Sequence, residues 1–399
     1  MTMPLMSKKV VLAVHGGAGV IHRSHLTPDM ESQYRSALED AMSSGYNILR
    51  KKQDEIDTTS SQSSLCTSAA TDAAEAAVRC LEDCPLFNAG MGSVICHDGK
   101  IRMDAAIMNC SSDIGRIGSD QLPTQTRHYP KTPKPQAGSV AGVEGIKNPI
   151  SLARAVMERT PHVMLIGKGA EDFASTLPNE VVETRPRDYF WTESRYMQRE
   201  NVRKKEQLQP EYELDRAIVN EREDHKFGTV GCVVAFPIVD EHNSCVLLAA
   251  ATSTGGMTNQ RYNRVGDSPI IGAGTYANHL CAISCTGHGE HFIRCVAAHD
   301  IAKRLEYKHG YDGFAAKGNE CRKEEEANGS ALQMAVDEVI FGSLRDGDEE
   351  EGQGGAIALD RDGNFVAEMN CPGMYHGWVY EDGQMETRIF REEYALTNS

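Results

Sequence analysis

The clearest pattern along this chain is a set of apolar runs that do not alternate with polar positions. Residues 8–19 (KKVVLAVHGGAG) read as a buried strand ending in a glycine-rich turn. Residues 229–253 form two apolar runs around the polar turn DEHNS, and residues 354–370 repeat the design around DRDGN. Continuous apolar runs bounded by turns predict strands covered on both faces, and two such hairpins predict antiparallel pairing. Residues 85–109 predict a loop followed by a third hairpin, with Asp98-Gly99 as its turn signal.

Between these runs the period lengthens. Residues 32–52 space apolar positions as a helix does, and 68–84 form a second helix rich in alanine, which allows close packing. Residues 148–160 predict a helix with Asn148 as N-cap and proline just inside it, and 162–176 predict a short strand, a turn and a helix. Residues 289–307 and 331–344 read as amphipathic helices, and 345–355 as an acidic solvated loop. Strands at both ends of each half, with helices between, predict a layered α/β architecture. From about 183 to 225 the chain is charged and poor in apolar residues, which predicts a mobile tether. Directly after it comes FGTVGCVV, where charge gives way to core.

Composition narrows the function classes. The 399 residues are 40% hydrophobic and 25% charged, with a net charge of −16, an acidic balance that argues against nucleic acid or an anionic membrane as partner. No stretch of about 18 apolar residues appears, and the start lacks the pattern of a secretory signal, so a cytoplasmic protein is expected. The 12 cysteines contain no C-x-x-C pair, which predicts reduced, buried thiols rather than a zinc site. There is no G-x-S-x-G elbow, P-loop or H-E-x-x-H, and the spacing in HGEH (288–291) suits no standard metal site.

What remains is a concentration of hydroxyl and glycine residues after the tether: Thr229, then Thr252 to Gly256, then Thr286, Gly287 and Gly289. A threonine hydroxyl is a weak nucleophile without a base beside it. An N-terminal threonine carries its own base, an α-amine whose unperturbed pKa is about 7.7–8.0. Arg264 and Asp267, set in RYNRVGDSP, read either as a structural ion pair or as a clamp for a zwitterion, carboxylate on the guanidinium and ammonium on the aspartate.

HGGAG, LEDCPLFNAGMG, MDAAIMN, GTVGCVVAF, AAATSTGGMTN, RVGDSPIIGAGTYAN and TGHGE, in this order, resemble the plant-type asparaginase / isoaspartyl peptidase family of N-terminal nucleophile hydrolases. The resemblance runs from about Val10 to the 370s and thins through the tether and 308–350. It implies a four-layer αββα sandwich made as a precursor that cuts itself between Gly228 and Thr229. The products would be an α subunit, 1–228, and a β subunit, 229–399, assembled as an (αβ)2 heterotetramer.

Position by position, the resemblance makes Thr229 the nucleophile and its own general base, and Thr254 its hydrogen-bond partner. It makes Arg264 and Asp267 the substrate clamp, Thr286 and Gly287 the oxyanion hole, Gly289 a carbonyl contact to the substrate amine, and Asn88 an α-chain residue near the nucleophile. Backbone carbonyls of Leu81, Glu82, Cys84, Phe87, Ala89 and Met91 would hold a structural Na⁺, and catalysis would need no cofactor. The implied activity is hydrolysis of L-asparagine and of β-aspartyl dipeptides. A glycosylasparaginase, a taspase-like member, or an unprocessed binding protein is the alternative. His288 stands at the variable position of TGxGE, and Tyr262-Asn263 replace the common proline-glycine.

Overall fold

Two sheets lie at the centre, and the apolar runs fill both of their faces. A computed structural model describes residues 8–58, 68–113, 134–206, 228–239, 244–308, 330–344 and 352–394. In chain order its main elements are β1 (Val10–Gly19), α1 (Pro28–Thr58), α2 (Ala69–Glu82), β2 (Met103–Asp113), β3 (Gln136–Val143), α3 (Pro149–Arg159) and β4 (Met164–Ile166). There follow α4 (Gly167–Ser175), α5 (Glu193–Glu206), β5 (Val230–Val239), β6 (Ser244–Thr254), β7 (Thr275–Ala277) and β8 (Cys281–Gly287). The chain closes with α6 (Gly289–Cys295), α7 (Ala297–Lys308), α8 (Ala331–Asp337), β9 (Gly354–Asp360), β10 (Phe365–Met369), β11 (Gly373–Tyr380) and β12 (Met385–Phe390).

The larger sheet runs β12-β11-β1-β5-β6-β2-β3-β4, and the smaller runs β10-β9-β8-β7. Pairing is antiparallel except between β3 and β4. Both hairpins expected from the paired apolar runs are present, as β5–β6 and β9–β10.

The side chains divide by strand period into three cores. In β5, Val230, Cys232 and Val234 face the helices α1 to α4, while Val233 and Ala235 face the smaller sheet. In β9, Ile357 and Leu359 face the larger sheet, while Ala356 and Ala358 pack on α7 and α8 with Ile301, Leu305, Leu332 and Val336. The result is helix, sheet, sheet, helix: the αββα sandwich. A strand covered on both faces needs apolar residues at every position, which is why its sequence does not alternate. α1 packs on β1 and β11 beside α2, which covers β5 and β6, and a Cβ added at Gly45 of α1 would come within 2.5 Å of Leu12 Cδ1 and 2.9 Å of the Ala73 carbonyl oxygen. Alanine and glycine are what that spacing admits.

Several local expectations are corrected. The Asp98-Gly99 turn forms, with Gly99 at φ +80° and Cys96 N–H on Lys100 O at 2.8 Å, but only the second arm becomes a strand, β2 from Met103, which pairs with β3 and β6 instead of with the first arm. Asn148 stands at the start of α3, yet its side chain donates to Asp83 at 3.1 Å rather than capping the helix. The free Ile150 N–H is taken instead by the Glu82 carboxyl at 3.1 Å. Helix α4 follows β4 with no turn between them. The helix expected over 289–307 is broken at Val296, φ +49°, because Ala298 and His299 donate to Ala273 and Gly272 carbonyls at 3.2 and 2.8 Å.

The largest correction concerns the tether. Residues 193–206 are the helix α5, in which Arg195 is buried. Arginine donors to loop carbonyls hold it where an apolar stripe is missing. Residues 207–225 of the expected tether, the 240–243 turn and the acidic 345–351 run lie outside the described residues. Among the described residues no helix is long and apolar enough to cross a membrane, and Cys96, Cys232, Cys281, Cys285 and Cys371 are buried thiols.

Candidate active site

Gly228-Thr229 sits just before β5, at one end of the sandwich. Register places Gly231 opposite His15 of β1 and Thr252 of β6. His15 is fully buried, and its Nδ1 lies 3.0 Å from the Thr229 carbonyl oxygen. A carbonyl only accepts, so Nδ1 carries the proton and Nε2 accepts from Ser284 Oγ at 2.8 Å. Burial drives the imidazole pKa down to about 3, so the ring is neutral. Ser284 Oγ lies 2.8 Å from Thr252 Oγ1, which lies 2.6 Å from Thr275 Oγ1. These hydroxyls are fully buried and link the Thr229 carbonyl to the loop before β7. A Cβ at Gly231 would overlap both His15 and Ser284, which explains the second glycine of GTVG.

The Thr229 hydroxyl donates to Thr254 Oγ1 at 3.2 Å, and the Gly256 N–H donates to the same oxygen at 3.0 Å. Asn88 meets the junction through its backbone: its N–H donates to the Gly228 carbonyl oxygen at 3.1 Å. Its side-chain amide is spent on Gly256 O at 2.7 Å and Val94 N–H at 2.9 Å. A Cβ at Gly228 would come within 2.8 Å of Asn88 Cβ, so only glycine fits before the threonine.

Gly228, Thr229, Thr254, Gly256, Met257, Arg264, Gly266, Asp267 and Gly287 line one small pocket. Arg264 turns its fork to Glu290, with Nε and Nη2 each 3.0 Å from a carboxylate oxygen, while Nη1 donates to Gln260 at 3.2 Å. The ion pair that sequence reading weighed between Arg264 and Asp267 is thus made with Glu290. Burial opposes the Arg264 charge, yet Glu290, Asp104 and Asp267 keep it protonated. Burial raises Asp267 to about 7 despite Arg264, and its Oδ2 has no partner. An unpaired, buried carboxylate oxygen beside a pocket is an acceptor waiting for a donor. A Cβ at Gly289 would come within 2.7 Å of Asp267 Oδ1 and 3.0 Å of Arg264 Nη2. His288 lies behind this pair, 3.5 Å from Glu290, and burial lowers it to about 4.

Thr286 is fully buried, and its Oγ1 accepts from Ala18 N–H at 3.2 Å. Gly287 takes φ +147°, and a Cβ there would meet the Gly354 Cα at 2.5 Å. At the end of α2, Leu81 to Met91 wind tightly. A Cβ at Gly90 would overlap the Glu82 carbonyl oxygen, and one at Gly92 that of Phe87. Such a glycine-made hollow with oxygens facing it suits a hard cation held by neutral carbonyls. Among the described residues no cluster of His, Cys, Asp and Glu side chains could hold a metal. The loop touches the site: Glu82 accepts from Ser253 Oγ at 2.6 Å, one residue before Thr254. Burial raises Glu82 to about 8.

Sequence reading did not assign His15, Ser284, Asp104, Gln260 and Glu290. His15, Asp104 and Glu290 lie inside the quoted motifs HGGAG, MDAAIMN and TGHGE; His15 and Glu290 stand next to glycines, and Asp104 is a lone charge in an apolar strand run. Ser284 and Gln260 carry no such mark.

The family model described as "Asparaginase" matches residues 8–118 and 132–338. An isoaspartyl peptidase of Salmonella typhimurium is 37% identical over 96% of this chain and 99% of its own. A probable isoaspartyl peptidase/L-asparaginase 2 of Arabidopsis thaliana is 33% identical over 95% and 98%. A plant-type L-asparaginase of Pyrococcus furiosus is 38% identical over 71% and 76%. With the four-layer fold, the Gly228-Thr229 junction and a family match over most of its length, this chain belongs to the asparaginase family.

Proposed function

We propose that the chain is an autoprocessing amidohydrolase. It cuts itself before Thr229, then hydrolyses L-asparagine to L-aspartate and ammonia and cleaves β-aspartyl dipeptides. The observation that carries this reading is the single pocket in which Gly228, Thr229 and Thr254 face Arg264 and Asp267. The names of the relatives support both substrates.

In the precursor, Thr229 Oγ1 attacks the Gly228 carbonyl carbon. The Asn88 N–H already on the Gly228 oxygen stabilises the charge that develops there. The Gly228–Thr229 C–N bond breaks, the hydroxyl proton passes to the leaving nitrogen, and an ester on Oγ1 remains. Water hydrolyses that ester, giving a Gly228 carboxylate and a free Thr229 amine and hydroxyl. In the mature site the amine is the base for Oγ1. Attack falls on the β-carbonyl of the substrate, its amine or ammonia leaves, and water releases aspartate from the β-aspartyl ester. Thr286 and Gly287 stabilise the oxyanion. Arg264 takes the α-carboxylate, and the Asp267 oxygen without a partner takes the α-ammonium, with Gly289 O beside it.

The resulting chains, 1–228 and 229–399, pair as (αβ)2 and work in the cytoplasm. A Na⁺ on the carbonyls of Leu81, Glu82, Cys84, Phe87, Ala89 and Met91 would hold the loop that carries Asn88, and supplies no chemistry. The test is intact mass after long incubation, with ammonia and dipeptide assays on the same sample. Two fragments replacing 43.7 kDa, with ammonia released from asparagine, are expected. A lasting single species without activity overturns the reading.

A further inference from the structure

The segment that sequence reading took for a tether grips two loops of the site. Arg195 Nε donates to Gly92 O at 2.7 Å. One turn on, Arg199 donates to Cys96 O at 3.0 Å and His97 O at 2.7 Å. Arg187, just before α5, donates to Gly99 O. At the far end of the helix the Glu206 carboxylate accepts from Asn259 Nδ2, at 2.6 and 2.7 Å to its two oxygens.

Asn259 takes a left-handed φ of +58°. Its N–H donates to Ile95 O at 2.9 Å, and His97 N–H donates to Gln260 O at 2.9 Å. Gln260 Oε1 then accepts from Met257 N–H at 3.0 Å and from Arg264 Nη1 at 3.2 Å. The hydrogen bonds from Glu206 to Asn259 and from Gln260 to the Arg264 guanidinium are therefore joined through the backbone of the adjacent residues Asn259 and Gln260.

We propose that α5 is a positioning strap that stays docked after the cut, and that Glu206, acting through Asn259 and Gln260, sets the pose of Arg264. The proposal rests on the functional reading above. Cleavage before Thr229 puts Glu206 and Asn259 on different chains, so this contact becomes an inter-chain one. Nothing in it uses the peptide bond that is cut. A charged acceptor is the strongest of the hydrogen-bonding partners available to an amide, and it holds a residue in the left-handed turn conformation that asparagine tolerates and most other side chains do not. Arg264 contacts the substrate alike in ground and transition states, so a loosened Arg264 weakens binding more than turnover.

Two measurements test the strap. The first is hydrogen exchange in wild type and in Glu206→Ala. Slow exchange across 193–206 is expected in the processed wild type, and faster exchange across 257–264 in the variant. Exchange of 193–206 at the rate of unstructured chain, or unchanged 257–264 amides in the variant, overturns the proposal. This measurement reads the strap even in a chain that neither cuts itself nor releases ammonia, so the two readings fail separately. The second is steady-state kinetics on L-asparagine. Glu206→Ala is expected to raise KM about tenfold with kcat within about twofold, the size of one charge-assisted hydrogen bond. Glu206→Gln keeps an acceptor oxygen and should recover most of that loss. A kcat loss with KM unchanged, or no rescue by glutamine, rules the strap out as a positioning device.

Discussion

The groups that would do chemistry lie close together in sequence, while the contacts that fix Gly228-Thr229 and Thr286 reach far back along the chain. Thr229, Thr254, Arg264, Asp267, Thr286, Gly287 and Gly289 lie within 61 consecutive positions. Four of their supports, His15, Ala18, Asn88 and Asp104, come from much earlier in the chain, on β1, the loop after α2, and β2, whereas Gln260, Ser284 and Glu290 come from the later stretch. The later stretch is a run of strand ends and glycine turns. The early one contributes backbone N–H groups and buried polar side chains. A reactive hydroxyl on a strand end stays mobile unless something rigid fixes the backbone on either side. Here β1 supplies that rigidity, lying between β5 and β11 in the sheet.

Substitutions on each side should break this division differently. Thr229→Ala removes the proposed nucleophile, so the chain should remain at 43.7 kDa on a denaturing gel, and ammonia release should fall by ~10⁴-fold or more. Residual cutting in that variant would move the nucleophile elsewhere. Next in size, Arg264→Ala would, on the proposed reading, remove a contact made equally in the ground and transition states. It should raise KM for asparagine by roughly 100-fold while kcat changes far less. A drop confined to kcat would show that the guanidinium serves the transition state instead.

Asp267 gives a pH prediction. Its folded pKa is raised, by burial, to about 7 from 3.8. Below about 7 the free enzyme holds it neutral, so substrate affinity should fall as pH falls, visible as KM rising between pH 7 and 5. The stability sign is the reverse of a salt-bridged carboxylate. The neutral acid suits its buried site, so its favourable contribution is full at low pH and is lost as pH rises through about 7. Asp267→Asn should therefore stabilise the protein at pH 8 by roughly 1–3 kcal/mol in denaturant melts, while binding substrate poorly. Equal stability of the two forms at pH 8 would show the carboxylate to be well solvated.

The smallest expected effect lies on the supporting side. His15→Ala leaves the Thr229 carbonyl and the Ser284 hydroxyl without their buried partner, at a cost of about 1–3 kcal/mol. Processing should slow with it, as read by gel time course. His15→Gln, which offers both a donor and an acceptor, should restore part of both. If alanine slows processing without destabilising the fold, the histidine acts on the junction alone.

Much of this was legible from residue order. The αββα layering followed from the motif set, and the β5–β6 and β9–β10 hairpins from paired apolar runs around polar turns. Gly228-Thr229, Thr254, Arg264, Asp267 and Gly287 stand out in the sequence itself, and they line one pocket. Three readings needed the tertiary structure. The charged stretch at 193–206 has no apolar stripe to announce a helix, because arginine donors to loop carbonyls hold it. Asn88 was assigned a place near the nucleophile, but that its N–H rather than its side chain faces Gly228 depends on how the loop after α2 is wound.

Arg264 shows the same limit. Its fork geometry foretold a carboxylate, and in the free protein that carboxylate is Glu290. By itself the sequence determined which residue types carry the chemistry and the order in which they occur, because strand ends, glycine turns and hydroxyls are local features. Only the tertiary structure decided their partners. Hydrogen bonds and burial are set by distance in space, and His15 reaches Thr229 across 214 positions of sequence.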